Sequence, residues 1–338
     1  MERAMTTILI VIVVVILAVP LIYLSTLKGD FVVSRSLAIG VAKEQVFAKI
    51  KDFRSWPEWS PWLMHEPKTR LEYSDAPDQP GGWYSWDGET VGAGRLTHVK
   101  FSGSDRIEQK IEFLRPFKSV SQVWWDLEPL ETGGTLVRWN MSGSMPFLFR
   151  FMTKKIGEYV GKDYDTGLAM LRGVLEPGAE YPRFSFEGFV ELPATTALTI
   201  PFEGDLETMK VAMKEGFSKL AEYAAENQPL SSGCPFTCYH EVDLQTMHFK
   251  CDMCLPVSQN VTQSEFKLKQ FPAGRYYKTT MKGSYQFLEL AWYQAYSHLQ
   301  MQKIKPQKKA ASLEFYENDP NEVDHTNEIT TSIYVPVK

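Results

Sequence analysis

Cysteine is missing from all but one short window of this sequence, basic charge is not in excess, and the compact signatures of catalysis are absent. All 4 cysteines of the 338 residues fall between Cys234 and Cys254. Lysine and arginine number 36 against 41 aspartates and glutamates, so the net charge is −5. A nucleic-acid surface needs a basic patch, and none is evident, so no nucleic acid is expected as a partner. There is no G-x-S-x-G, no H-E-x-x-H, no G-x-G-x-x-G and no glycine loop to cradle phosphate. The 6 histidines are scattered. No cofactor and no set of catalytic residues is therefore expected, and the pattern leans away from an enzyme.

One absence is itself a signal. From Ala4 to Leu27 no residue is charged. The run "ILIVIVVVILAVPLIYL" with its flanks supplies roughly the 20 residues needed to cross a hydrocarbon core, and Pro20 is tolerable there. A cleaved signal peptide is the alternative, but the apolar run is long and no small-x-small site follows it. Residues 6–27 are thus expected to form a single-pass membrane anchor, with a bacterial inner membrane as its location. Arg3 before the span and Lys28, Arg35 and Lys43 after it leave the side of the body undecided.

Two blocks follow, 31–176 and 184–338, separated by the turn-forming "EPGAEYP" at Glu176–Pro182. In the first, Phe31–Ile39 alternates as a strand and Lys43–Phe53 has helical spacing of Val46, Phe47 and Ile50. Strand-like runs recur at Gly82–Trp86, Gly94–Phe101, Asp105–Phe113, Val120–Leu127 and Thr135–Ser142. A long helix is expected over 149–175, with Asp163 and Asp165 on its solvated face. Between the first helix and the strands lies "DFRSWPEWSPW", which places Trp56, Trp59 and Trp62 three residues apart with Pro57 and Pro61 between them. Proline excludes a helix interior or a central strand, so extended polyproline II or short 3-10 turns are expected.

The second block contains an internal repeat of about 80 residues, 184–257 and 264–338. Pro193 matches Pro272, Gly204 matches Gly283, Phe217 matches Tyr296 and Leu220 matches Leu299. Each copy reads strand, strand, helix, strand, strand. Two such copies should pair about a pseudo-twofold axis with a ligand cleft between them; the alternative is a cleft filled by side chains.

The pieces "IGVAKEQVFAKIKDFRSWPEWSPW", "WYSWDG", "GAGRLT", "LRPF", "GGTLVRWNMSG" and "IGEYVGKDYDTGLAMLRGVLE" resemble, in order and over 31–176, the polyketide cyclase/dehydrase members of the START-like (SRPBCC, helix-grip) superfamily. The resemblance implies a deep apolar cavity between a curved antiparallel sheet and a long C-terminal helix, with no shared catalytic residue. Trp56, Trp59 and Trp62 would then line the cavity mouth or touch the bilayer interface, or else plug the sheet end as packing. Trp83, Trp86, Trp124 and Trp139 lie on strands, and alternation must turn some of them inward.

"GSYQFLELAWYQAYSHL", "SLEFYENDP" and "TTSIYVPV" resemble the gyrase-inhibitor-like effector-binding domain also found behind AraC-type DNA-binding domains, over about 184–338. That resemblance implies binding of small, often cationic or amphipathic molecules at the seam. Its usual glutamate in the last strand is Ser332 here, and Glu328 lies four residues further back, on the same face of a regular strand. Glu314 and Tyr316 match its E-x-Y pattern, and Tyr285, Trp292, Glu314, Tyr316, Glu328 and Ser332 are expected to line the site. No helix-turn-helix is present.

The expected fold is α+β throughout: a helix-grip domain, a duplicated effector-binding domain and one transmembrane helix. The expected function is binding of a hydrophobic or amphipathic small molecule in a sensor, carrier or sequestering role. A hydrolase or cyclase and a scaffold with closed cavities are the alternatives. Protein partners are not specified by any motif. Cys234, Cys238, Cys251 and Cys254 have suggestive zinc spacing, but Cys251 and Cys254 should point to opposite faces of a strand. Hairpin register pairs Cys238 with Cys251 and Cys234 with Cys254, so free or disulfide-bonded cysteines are expected in place of metal.

Overall fold

A computed structural model describes residues 2–131, 133–226, 232–243, 246–258 and 264–338. The chain divides into two compact units, Met1–Pro177 and Gly178–Lys338. Both are mixtures of long helices and antiparallel sheet, so the expected two-domain α+β layout stands.

The first unit opens with α1 (Glu2–Thr26), 25 residues long. It continues through β1 (Asp30–Ile39), α2 (Lys43–Lys51), β2 (Arg70–Tyr73), β3 (Trp83–Asp87), β4 (Ala93–Ser102), β5 (Arg106–Arg115), β6 (Ser119–Pro129), β7 (Thr135–Ser144) and α3 (Thr153–Leu175). The strands form one seven-stranded antiparallel sheet in the order β1-β7-β6-β5-β4-β3-β2. β2 is not among the expected strands; four residues are too few for alternation to show. The long helix α3 closes over the inner face. Gly167 makes that approach possible, because a Cβ there would lie 2.8 Å from the Trp139 ring and 3.0 Å from Pro61.

The tryptophan loop is a pair of 3-10 turns, Phe53–Glu58 and Leu63–His65. Asp52 starts the first by accepting from the Arg54 amide at 3.0 Å, and Trp56 O takes the amides of both Trp59 and Ser60. Pro57 fits this tight turn, whose hydrogen bonds do not need its missing N–H.

The expected membrane span, 6–27, falls on α1. Of its described side chains, Met5, Ile12, Ile16, Val19, Leu21, Ile22 and Tyr23 are exposed, and Ala18 and Leu24 are half-buried. The side chains at 2–4, 8–11, 13–15 and 17 lie outside the described residues. Among the described residues no helix is long and apolar enough to cross a membrane, so the structure leaves the expected span unsupported.

The second unit runs β8 (Arg183–Leu192), β9 (Thr195–Asp205), α4 (Leu206–Glu226), β10 (Phe236–Asp243), β11 (His248–Pro256), then β12 (Lys267–Phe271), β13 (Gly274–Lys282), α5 (Leu288–Met301), β14 (Ser312–Tyr316) and β15 (Thr330–Pro336). The eight strands form one antiparallel sheet, β12-β9-β11-β10-β14-β15-β13-β8. Read from the centre outward, the order is the same on both sides once the two copies are exchanged. The first strand of each copy crosses to the far edge of the other copy's strands, and the seam is the β10–β14 pair. At that seam Thr237 pairs with Glu314. These two residues hold equivalent places in the two copies, so the pseudo-twofold axis passes between them, and Tyr239 and Tyr316 follow two residues later on either side. Both helices pack on the same sheet face. Gly216 lets α4 approach, since a Cβ there would meet Met253 Sδ at 2.4 Å.

Candidate functional site

In the first unit the residues expected to line a cavity fill it. Trp56, Trp59 and Trp139 are buried together with Phe53, Trp125 and Tyr164. Trp139 is stacked between Trp125 at 4.2 Å and Tyr164 at 4.0 Å, and Trp56 and Trp59 meet both Trp125 and Trp139 edge-on at about 6 Å. Trp86 joins this layer through Tyr84. Trp62 is half-buried, with Nε1 donating to Asp163 at 2.9 Å. Asp163 is therefore buried beneath an indole and not on the solvated face expected for it; Asp165, two residues on, pairs with Arg35. Trp83 points the other way. It sits out of phase with Tyr84 and Trp86, and the Arg95 guanidinium covers its ring at 4.1 Å. Trp124 is likewise out of phase with buried Trp125 and lies against Arg106. A buried line of hydrogen bonds runs beside the cluster, from Trp125 to Gln109 to His98 to the Lys51 carbonyl. Burial holds the His98 imidazole at about 4, well below its usual value, so it is neutral.

In the second unit the seam gathers a different kind of cluster. Glu314 is buried on the axis. It accepts from Trp292 Nε1 at 2.5 Å, from the Tyr316 hydroxyl at 2.8 Å and from Tyr239. Burial pushes its carboxyl above the ordinary range, and these three donors only partly offset that. No lysine or arginine among the described residues pairs with it. Thr237 Oγ1 bonds the Tyr316 hydroxyl at 2.8 Å. Around the carboxylate stand Tyr285 at 5.7 Å and Phe217 at 5.1 Å from Tyr316, and Tyr296 beside Trp292 at 6.2 Å. Strand pairing puts Thr279, Ile333 and Thr331 on the same sheet face as Glu314 and Tyr316. The hydroxyls of Thr279 and Thr331 are buried and have no hydrogen-bond partner, an unusual condition for buried polar atoms.

Tyr285, Trp292, Glu314 and Tyr316 are thus brought together. Glu328 and Ser332 are not part of that group. Glu328 lies in a 3-10 turn, Thr326–Glu328, before β15 begins, and is exposed; the strand is not regular that far back. Ser332 is buried on the opposite face, paired with Phe315 and bonded to Thr280 at 3.0 Å. Tyr239, Thr237, Thr279 and Thr331 were not singled out. The signal for Tyr239 was present in the repeat, where "CYH" aligns with "FYE". Thr279 and Thr331 carried none.

The cysteines do not converge. β10 and β11 pair Cys238 with Asp252, Tyr239 with Cys251 and Phe236 with Cys254, so the expected pairings of Cys238 with Cys251 and Cys234 with Cys254 do not form. Cys251 lies on the Glu314 face, Cys238 and Cys254 on the other, and Cys234 precedes β10. All four are free. Among the described residues no group of three metal-ligating side chains is assembled. Burial raises the thiols of Cys238 and Cys251 to about 12. On the far face buried Asp252 takes His240 and Lys269, each at 2.6 Å.

Residues 30–176 match the family of polyketide cyclases/dehydrases and lipid transport, and residues 188–338 match the GyrI-like small molecule binding domain, in that order. No curated protein matches. Similar solved structures include a protein of Chromobacterium violaceum, 13% identical over 43% of this chain and 97% of its own, TM-score 0.34. Another is SAV2435 bound to tetraphenylphosphonium, 12% identical over 46% and 94%, TM-score 0.35. A third is EcmrR in a DNA complex, 15% identical over 57% and 72%, TM-score 0.39.

Proposed function

We propose that this chain is a small-molecule binding protein whose ligand site is the aromatic cluster around Glu314, and that α1 attaches it to a membrane. The observation that carries the ligand reading is a buried carboxylate with only neutral aromatic donors, on a sheet face that also carries two buried threonine hydroxyls without partners. An uncompensated charge in such a place is costly for the fold. An apolar aromatic ligand with a cationic centre would meet Glu314 electrostatically and the surrounding rings through cation–π contacts. The GyrI-like match over 188–338 supports the same reading. The first unit contributes a packed body, since its aromatic side chains occupy the space a ligand would need. What supports attachment is α1: 25 residues at 1.5 Å rise make about 37 Å, enough for a hydrocarbon core of about 30 Å, and the sequence carries no charge from Ala4 to Leu27.

The test is calorimetric titration of the full chain with tetraphenylphosphonium and with neutral triphenylphosphine oxide. The expected result is binding of the cation, weakened at least about tenfold by Glu314→Gln, or about 1.4 kcal/mol. Binding should also weaken on acidification, because a protonated Glu314 offers no charge. No binding of either probe, or equal binding to Glu314→Gln, overturns the reading.

A further inference from the structure

The first unit has an apolar surface that its packed core does not use. The 3-10 turn Phe147–Met152 presents Phe147, Leu148, Phe149 and Phe151 to solvent; Leu148 is 60% and Phe151 57% exposed. The β5–β6 loop adds Phe117, 71% exposed, whose ring lies 5.9 Å from Phe149. Isolated exposed apolar residues mean little, but a contiguous group of this kind marks a contact surface. The chain that flanks it is basic. Lys28, Lys118, Lys154 and Lys155, close in the chain to these segments, are exposed, as are Asp30 and Glu158, the latter 3.9 Å from Lys154.

The patch is fastened to the end of α1. Met145 N donates to Gly29 O at 2.9 Å, Arg150 Nη1 to Leu27 O at 3.3 Å and Thr153 Oγ1 to Lys28 O at 3.3 Å. Only 27–29 separate α1 from β1, a reach of about 10 Å. Whatever surface α1 leaves is the surface these side chains face. We propose that this aromatic–basic face docks on a lipid bilayer with anionic headgroups. The phenylalanines and Leu148 enter the interfacial layer and the lysines meet the anionic headgroups. The proposal rests on the reading of α1 as the membrane segment for its orientation, and the test separates the two.

In the full chain with Cys234→Ser, an environment-sensitive fluorophore is placed at Leu148→Cys or, separately, at Ile16→Cys. The three remaining cysteines are buried with raised thiols and stay unlabelled. The protein is reconstituted into vesicles of phosphatidylcholine with phosphatidylglycerol, with and without doxyl-labelled lipid. The expected result is a blue-shifted, doxyl-quenched Leu148 label, with the shift reduced by high salt or by Lys118→Glu with Lys154→Glu and Lys155→Glu. Quenching at Ile16 but not Leu148 overturns the docking face and leaves the anchor. Quenching at Leu148 but not Ile16 supports the face and removes the anchor. Quenching at neither overturns both. A Leu148 shift that needs no vesicles and grows with protein concentration assigns the face to a second copy and overturns the proposal.

Discussion

In the first unit Trp56, Trp59, Trp125, Trp139 and Tyr164 meet around one another; in the second Tyr239, Trp292 and Tyr316 meet around a carboxylate. The first arrangement exports most of its polarity. Trp56 donates to the Ile50 carbonyl at 2.9 Å and Trp125 to Gln109 at 3.0 Å, and only the Nε1 of Trp139, in the middle of the stack, is buried without a partner. The second imports polarity. Its indole and phenol groups turn inward to Glu314, and two threonine hydroxyls on the same face go unbonded. Rings that bond outward build a core; rings that bond inward to a charge leave the cost of burying that charge in the fold.

The contrast can be broken most forcefully in the first unit. Trp59→Ala should destabilise it by about 3–5 kcal/mol, read from denaturant unfolding of the full chain. A loss under 1 kcal/mol would show that the cluster is loosely filled and that a cavity was misjudged as core. Acid should act next. The His98 pKa falls from its ordinary value to about 4 on folding, so its contribution is present above pH 6.5 and is lost as pH falls from 6.5 toward 4. That amounts to about 3 kcal/mol at most. His98→Phe should flatten the acid limb of the unfolding midpoint, whatever its effect at neutral pH.

Glu314 carries the opposite sign. Its folded pKa is raised, so the fold is favoured at pH below the ordinary carboxylate value and loses that advantage as pH rises through the folded value. Without ligand, Glu314→Gln should therefore match the parent in acid and exceed its unfolding free energy at alkaline pH, by about 1–2 kcal/mol. A variant less stable at every pH would mean that the three donors overcompensate the burial. The smallest effect is chemical: under native conditions a thiol reagent should modify half-buried Cys234 and spare Cys238, Cys251 and Cys254 until unfolding.

Much of the architecture was legible because it rests on local periods. The alternation in Thr135–Ser142 and the three-and-four spacing from Ile156 to Leu171 define β7 and α3 almost to their ends. The prolines in "SWPEWSPW" left polyproline II or short 3-10 turns, and the structure takes the turns. The site was half legible. Glu314, Tyr316, Tyr285 and Trp292 stood out by their pattern, whereas Glu328 and Ser332 were placed by counting back along a strand assumed regular. The four cysteines suffered a similar slip, since one residue of register moved Cys251 opposite Tyr239 and away from Cys238.

Element order apart from β2, the two-domain division and the duplicated strand-strand-helix-strand-strand pattern were legible in the sequence alone, since they rest on local periods and turn signals. Tertiary structure decided which side chains face each other. Trp83 and Trp86 differ by their phase on one strand, and Ser332 and Thr331 by one step. Glu314 meets Tyr239 only because β10 and β14 pair across the axis with Thr237 opposite it. Side chains alternate with a period of two, so a single residue of register exchanges inside for outside. That register is set by pairing between strands far apart in the chain, which no local pattern records.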